Sequence, residues 1–260
     1  MAEVTTFQKK NLFSRFPTLV PGAVLILVVL IPSLFGQFFI NPEHAEVLAF
    51  EPNLPPSLNH PLGTQSEGRD VLTVVILGTP RTLEIGLIGG GVAVLVGMLL
   101  GMISGYVGGA IDATVRSIVD IGLTIPALAL LIMIAASFPV VTPVMMGLVV
   151  ASTSWMHPTR VIRSQILSLK EREFVKLTKL SGVGPLHIVF LELMPNLIPF
   201  LAASFVNAVS TAILASIGLE VLGLGSQQTV SLGTPVYYGI FFSAMWRGLW
   251  WWWLPPIIIL

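Results

Sequence analysis

Apolar runs too long for the core of a small soluble domain punctuate this chain and dictate its class. They lie near residues 18–40, 82–106, 113–138, 140–158, 196–222 and 247–260. All but the last reach across roughly 30 Å of hydrocarbon when helical. Lipid offers the backbone no hydrogen-bond partner, so each run is expected to be a helix. The expectation is an all-α polytopic membrane protein with about six transmembrane helices. Composition agrees, since 54% of residues are hydrophobic and only 10% charged, against roughly 25% charged in soluble domains.

Pro32, Pro126 and Pro143 fall inside these runs and predict kinks or boundaries. The last run, Arg247 to Leu260, has 14 residues, or about 21 Å of helix. That is too short to cross, so the sequence is expected to stop within its sixth helix or to be held there by a partner.

Charge placement sets the expected orientation. Lys9, Lys10 and Arg15 precede the first run, and Arg160, Arg163, Lys170, Arg172, Lys176 and Lys179 follow the fourth. Both groups belong on the cytoplasmic side. The segment 41–81 carries Arg69 and Arg81 against Glu43, Glu46, Glu51, Glu67 and Asp70, which suits the outside. The run after the basic tail exceeds a signal-peptide core and lacks a small-residue cleavage site, so it reads as a retained span. The chain thus divides into a cytoplasmic tail, 1–17, a first transmembrane helix, 18–40, an extracytoplasmic connection, 41–81, and a core, 82–260, with a cytoplasmic loop at 160–195.

That loop is the most informative segment. Ile162, Ile166 and Leu169 follow helical spacing, and Phe174, Leu177 and Leu180 continue at intervals of three, with Lys170, Lys176 and Lys179 between them. Short helices with one face to bury are expected, ended by Gly182 and Gly184-Pro185. Such a face suits either anionic lipid or a groove in a soluble partner, and the pattern alone does not separate the two.

Three motifs carry a resemblance. They are Trp155-Met-His-Pro-Thr-Arg160 with Leu167-Ser-Leu-Lys-Glu-Arg-Glu-Phe-Val175, Gly182 and Pro195-Asn196; His60-Pro-Leu-Gly-Thr64 with Gly68-Arg-Asp-Val-Leu72; and Leu222-Gly-Leu-Gly225 with Ser231-Leu-Gly233. In order and spacing the chain resembles the "C" permeases of dipeptide and oligopeptide ABC importers, with a methionine-importer-like core. It departs from them at Lys176-Leu177-Thr178, where relatives usually carry Glu-Ala-Ala, at Gln65 in place of an acid, and at Leu232 in place of Trp.

The resemblance implies the type I ABC importer permease fold in a prokaryotic cytoplasmic membrane, with a cytoplasmic N-terminus. It also implies partners: a homologous sister permease, two cytoplasmic ATPase subunits and an extracytoplasmic substrate-binding protein. The expected ATPase-coupling residues are Glu173, Phe174, Val175, Lys176, Leu177, Thr178, Lys179, Leu180, Ser181, Gly182, Val183 and Gly184. Gly63, Gly68, Arg69 and Asp70 are candidates for contact with the binding protein or for shaping the mouth of the pathway, with turn formation and local pairing the favoured account of them. Cargo in this group includes peptides, nickel complexes and oligosaccharides.

The chain has no Gly-x-x-x-x-Gly-Lys-Ser/Thr phosphate loop, so ATP and Mg are expected on the partner ATPases and no cofactor on this chain. Neither catalytic nor metal-binding residues are expected. His44, His60, His157 and His187 show no ligand spacing and no nucleophile elbow occurs, which argues against an intramembrane enzyme. A passive channel would not need the elaborate loop. The net charge of zero offers nothing to nucleic acid.

Four further features invite structural readings. Gly97, Gly101, Gly105 and Gly109, four apart, suit close helix packing, within this bundle in preference to a seam with a sister subunit. Asp112, Arg116 and Asp120 are spaced to pair along one helix face. Glu84 and Glu220 are placed near external ends, in reach of water. Trp250 to Trp253 read as an interfacial belt.

Overall fold

A computed structural model describes residues 19–225 and 229–260. The tail 1–17 with its three basic residues lies outside them. Helix α1 is Leu19–Phe35, and two 3-10 turns, Gly36–Phe38 and Pro42–Ala45, lead into an irregular segment. Then follow α2 (Val71–Val107), α3 (Gly109–Thr124), α4 (Ala127–Ala136), α5 (Pro143–Ser154), α6 (Met156–Leu169) and α7 (Glu173–Leu180). A long helix α8 (Pro185–Leu224), α9 (Gly233–Phe241) and α10 (Trp250–Ile259) complete the described chain.

Three of these, Val20–Phe38, Val71–Val107 and Pro185–Leu224, are long and apolar enough to cross a membrane, and α3 with α4 make a fourth span if the bent pair counts as one. The bend is 85°. Pro126 causes it: Ile125, which precedes the ring, is forced into extended backbone at ψ 131° and the helix cannot pass.

Helix α2 is the axis of the bundle, with α5, α6 and α8 packed around it. Its 37 residues span about 55 Å, far beyond a hydrocarbon core of roughly 30 Å. The helix therefore begins at Val71, eleven residues before the apolar run at 82 suggests. Residues 71–77 are apolar as well, but Gly78-Thr-Pro80-Arg81 breaks the run in sequence; the helix passes through that break and starts where Asp70 caps it. The Asp70 carboxylate accepts from the Thr73 amide at 2.9 Å and the Thr73 hydroxyl at 2.8 Å.

Glycine lets three helices reach this axis. A Cβ on Gly90 would stand 2.5 Å from the Val209 amide nitrogen of α8; one on Gly89 would stand 3.2 Å from the Gly147 carbonyl of α5. Gly97, Gly101 and Gly105 face Pro158, Thr159, Ile162 and Ile166 of α6 at 2.7 to 3.1 Å. Three glycines of the spaced series thus serve packing inside the bundle. The fourth, Gly109, forms the turn to α3 together with Gly108, both at positive φ.

Arg160 and the residues up to Leu169 are part of α6 and not of a free connection. Ile162 and Ile166 are fully buried against α2, and the two arginines on this helix find acids on α3. The charges that make 160–169 look like a loop are neutralised across the α3–α6 contact.

Backbone proximity of this kind predicts a sharp contrast. Gly90→Leu should lower the thermal midpoint in detergent strongly, because overpacking costs about 1–3 kcal/mol or more where backbone is the obstacle. Gly22→Leu on α1, where nothing among the described residues lies within 4 Å, should leave the midpoint nearly unchanged. Equal midpoints for the two variants would show that the glycine face does not hold the bundle.

Candidate functional site

Helix α7 is eight residues long and stands at one end of the bundle, between α6 and α8. Eight residues do not sustain a helix in water, so tertiary contacts must hold it. Val175 provides the chief one. It is 2% exposed and joins a cluster with Met102 of α2, Ile162 and Ile166 of α6 and Ile188, Val189, Leu193 and Leu197 of α8.

The opposite face is left uncovered. Leu177 is 64% and Leu180 84% exposed, and Phe174, one turn earlier, is 37% exposed. Lys176 and Lys179 flank this row. Lys176 lies 3.5 Å from Glu171, a solvent-exposed contact of little energetic weight. Gly182 ends the helix at φ +78°, with its amide donating to the Lys179 carbonyl at 3.1 Å, and the chain re-enters α8 at Pro185. The expected residues Glu173 to Gly184 are therefore one helix and its terminator, with Val175 facing inward and Phe174, Leu177 and Leu180 outward.

Polar ties fix the base of α7. Lys170 donates to the Gly105 carbonyl at 2.9 Å, capping the C-terminal end of α2, where a cation is favoured by the helix dipole. Arg163 grips Asp112 of α3 with both Nε and Nη2, the latter bond 2.6 Å long, and Arg160 reaches Asp120. Sequence spacing suggested that Asp112, Arg116 and Asp120 pair along their own helix. The acids instead look across to α6, where Arg163 grips Asp112 at two points and Arg160 reaches one oxygen of Asp120, whereas an i,i+4 pair on an exposed face gains little.

The other end of the bundle holds the second candidate group. Gly63 and Gly68 both have positive φ, and a Cβ on them would stand 2.5 Å from the Leu54 carbonyl and 2.4 Å from the Phe50 carbonyl. Asp70 caps α2 and also meets the His60 Nδ1 at 3.1 Å. Arg69 lies 3.7 Å from Glu67, with its guanidinium carbon 5.7 Å from the centroid of the Tyr238 ring. All four residues thus build the turn that seats the start of α2.

Two other sequence readings change here. Glu220 is not at a water-exposed end but 6% exposed, accepting from the Ser231 hydroxyl. Of the tryptophans, Trp250 is exposed as a belt residue would be, whereas Trp252 is buried and Trp251 packs on Gly63.

Comparison with known proteins decides what this architecture is. Residues 97–237 match the family model for the binding-protein-dependent transport system inner membrane component. The chain belongs to that family. An oligopeptide transport system permease protein, OppC, of Mycobacterium tuberculosis is 33% identical over 225 residues, covering 84% of this chain and 76% of the relative. A dipeptide transport system permease protein, DppC, of Bacillus subtilis is 29% identical over 207 residues, covering 79% and 64%. A probable D,D-dipeptide permease, DdpC, of Escherichia coli is 30% identical over 213 residues, covering 82% and 71%. The chain is a permease component of the dipeptide and oligopeptide ABC importer group, with the type I importer fold, and is a transport subunit and not an enzyme.

Glu67 supplies a test of the turn at the Gly63 end. Burial pushes its carboxyl above the ordinary 4.5, and Arg69 draws it only partly back. The folded chain then holds this proton more tightly than the unfolded chain. The stability it contributes is full below about 4.5 and is lost as pH rises through the raised folded value. Glu67→Gln should flatten that decline in thermal unfolding across the acidic range. An identical pH profile for both proteins would contradict the assignment.

Proposed function

We propose that this permease is the transmembrane subunit of an ATP-driven importer of di- or oligopeptides, with α7 as the helix through which the ATPase acts. The observation that carries the reading is the split character of α7: Val175 is built into the core while Phe174, Leu177 and Leu180 face outward. Exposed apolar residues on a helix whose base is fixed are suited to a groove in a soluble partner. Membership of the family favours a nucleotide-binding subunit as that partner, and the absence of a phosphate loop in this chain requires one.

In this scheme the α7 end is cytoplasmic, as is the N-terminal tail, and the Gly63 end faces outward toward a substrate-binding protein. The chain pairs with a homologous sister permease to enclose the path. ATP binding draws two ATPase subunits together, α7 moves with the subunit it docks on, and the ties of Lys170 to α2 and of α6 to α3 carry the displacement into the bundle. The cavity turns outward to accept cargo, and hydrolysis returns it inward. Two packings of comparable energy suffice, each favoured by one nucleotide state.

Peptide cargo follows from the names of the relatives. Oligosaccharides and nickel complexes are the alternatives within the same class, and mass spectrometry of what co-purifies with the cognate binding protein distinguishes them. Lys176 gives this chain a basic charge where relatives usually carry an acid, so its ATPase groove is expected to present an acid there.

Phe174→Asp combined with Leu177→Asp should abolish uptake by the assembled transporter while the permease still inserts and folds. Undiminished uptake would sink the coupling role. The purified permease alone should hydrolyse no ATP, and activity in the absence of an ATPase subunit would contradict the division of labour.

A further inference from the structure

A chamber of about 540 Å³ opens at the Gly63 end, bounded by the 3-10 turns after α1, the first turns of α2, the end of α8 and α9. This volume lies within the range of roughly 300–1,000 Å³ common for small-molecule sites. Its walls carry both signs of charge, from Glu46, Glu220, Arg69 and Arg81, beside the rings of Tyr237 and Tyr238.

Glu220 is the unusual member. It is more than nine-tenths buried, yet among the described residues no Lys, Arg or His stands within ion-pair distance of it. The Ser231 hydroxyl and the Gly233 amide are its donors, to a group that offers about four acceptor positions. Isolated carboxylates are costly to bury without a counter-charge. Glycine keeps the space around it: a Cβ on Gly233 would fall 2.0 Å from its Oε2 and one on Gly225 2.8 Å from its Cγ.

Arg69 offers the complement. Its side chain is 11% exposed, Glu67 stands at 3.7 Å, outside hydrogen-bond range, and its Nε has no hydrogen-bond partner among the described residues. The Nε itself is buried, so the two Nη groups are the donors left to an incoming carboxylate.

We propose that this chamber is a cargo subsite for a zwitterion, in which Glu220 receives an ammonium group and Arg69 a carboxylate. A short peptide with both ends free has this chemistry. The inference rests on the reading of the chain as a peptide permease and adds a selection step inside the membrane subunit itself. An incoming ammonium supplies the counter-charge that Glu220 lacks, so discrimination against a blocked amino end arises from leaving that carboxylate buried and unpaired.

The absence of cysteine from this chain makes a direct test available. Val47→Cys and, separately, Leu77→Cys place a single thiol of this subunit on the chamber wall. Labelling of that thiol by a maleimide is followed in the assembled transporter with tri-alanine, N-acetyl-tri-alanine or tri-alanine amide present. Tri-alanine should slow labelling at a concentration that the loss of one charge-assisted contact, about tenfold in affinity, puts below half-saturation for the blocked peptides. The two blocked peptides should not, and Glu220→Gln, which keeps an acceptor for Ser231, should cancel the protection. Equal protection by all three peptides, protection by none, or protection that survives Glu220→Gln overturns the subsite. ATP-driven uptake by the same preparation separates the two readings: uptake of tri-alanine without selective protection rejects the subsite alone, and no uptake of any peptide rejects the peptide reading.

Discussion

Close backbone contact along α2 is the constraint on which the rest of the structure depends. Lipid tails are as apolar as leucine, so helices in a membrane gain little from hiding apolar side chains and must gain from dense packing. Glycine at 86, 89, 90, 97, 101 and 105 gives α2 faces without side chains, and α8, α5 and α6 fill them at distances where a methyl group would collide. The bundle is therefore held by shape more than by hydrophobicity, and a shape of that kind yields by sliding or by separating, seldom by bending.

This has a consequence for the end that carries α7. The valine that seats α7 belongs to the same buried cluster as the α6 isoleucines resting on Gly101 and Gly105. Lys170 ties the following turn to the end of α2, and the Arg163–Asp112 fork ties α6 to α3. A force on the outer face of α7 reaches the axis through Val175, Lys170 and α6. The opposite end is built differently, from tight turns, a capped helix start and a polar chamber. One end suits the transfer of displacement and the other the reception of a polar guest.

Much of this was legible in the sequence, for reasons that can be named. Apolar runs gave the helices because lipid permits little else, Pro126 gave the break between α3 and α4, and Phe174, Leu177 and Leu180 at intervals of three gave a helix with one free face. Local signals sufficed in each case. The start of α2 was missed because Gly78, Pro80 and Arg81 look like a boundary, whereas the helix runs through them to the apolar turn that Asp70 caps. The partners of Arg160 and Arg163 lie 40 and 51 residues away and cannot be read from spacing. Glu220 looked like an end-of-helix charge until Ser231, eleven residues on, closed over it. Short α9 has too few apolar residues to register as a span at all.

The central claim is that the outward face of α7 is an interface with the ATPase. Leu177→Cys measures it directly, since this chain contributes no other thiol. In the isolated permease that cysteine should react rapidly with a soluble maleimide, as befits a position 64% exposed. In the assembled transporter the account predicts strong protection. Equal reactivity in both preparations would contradict it.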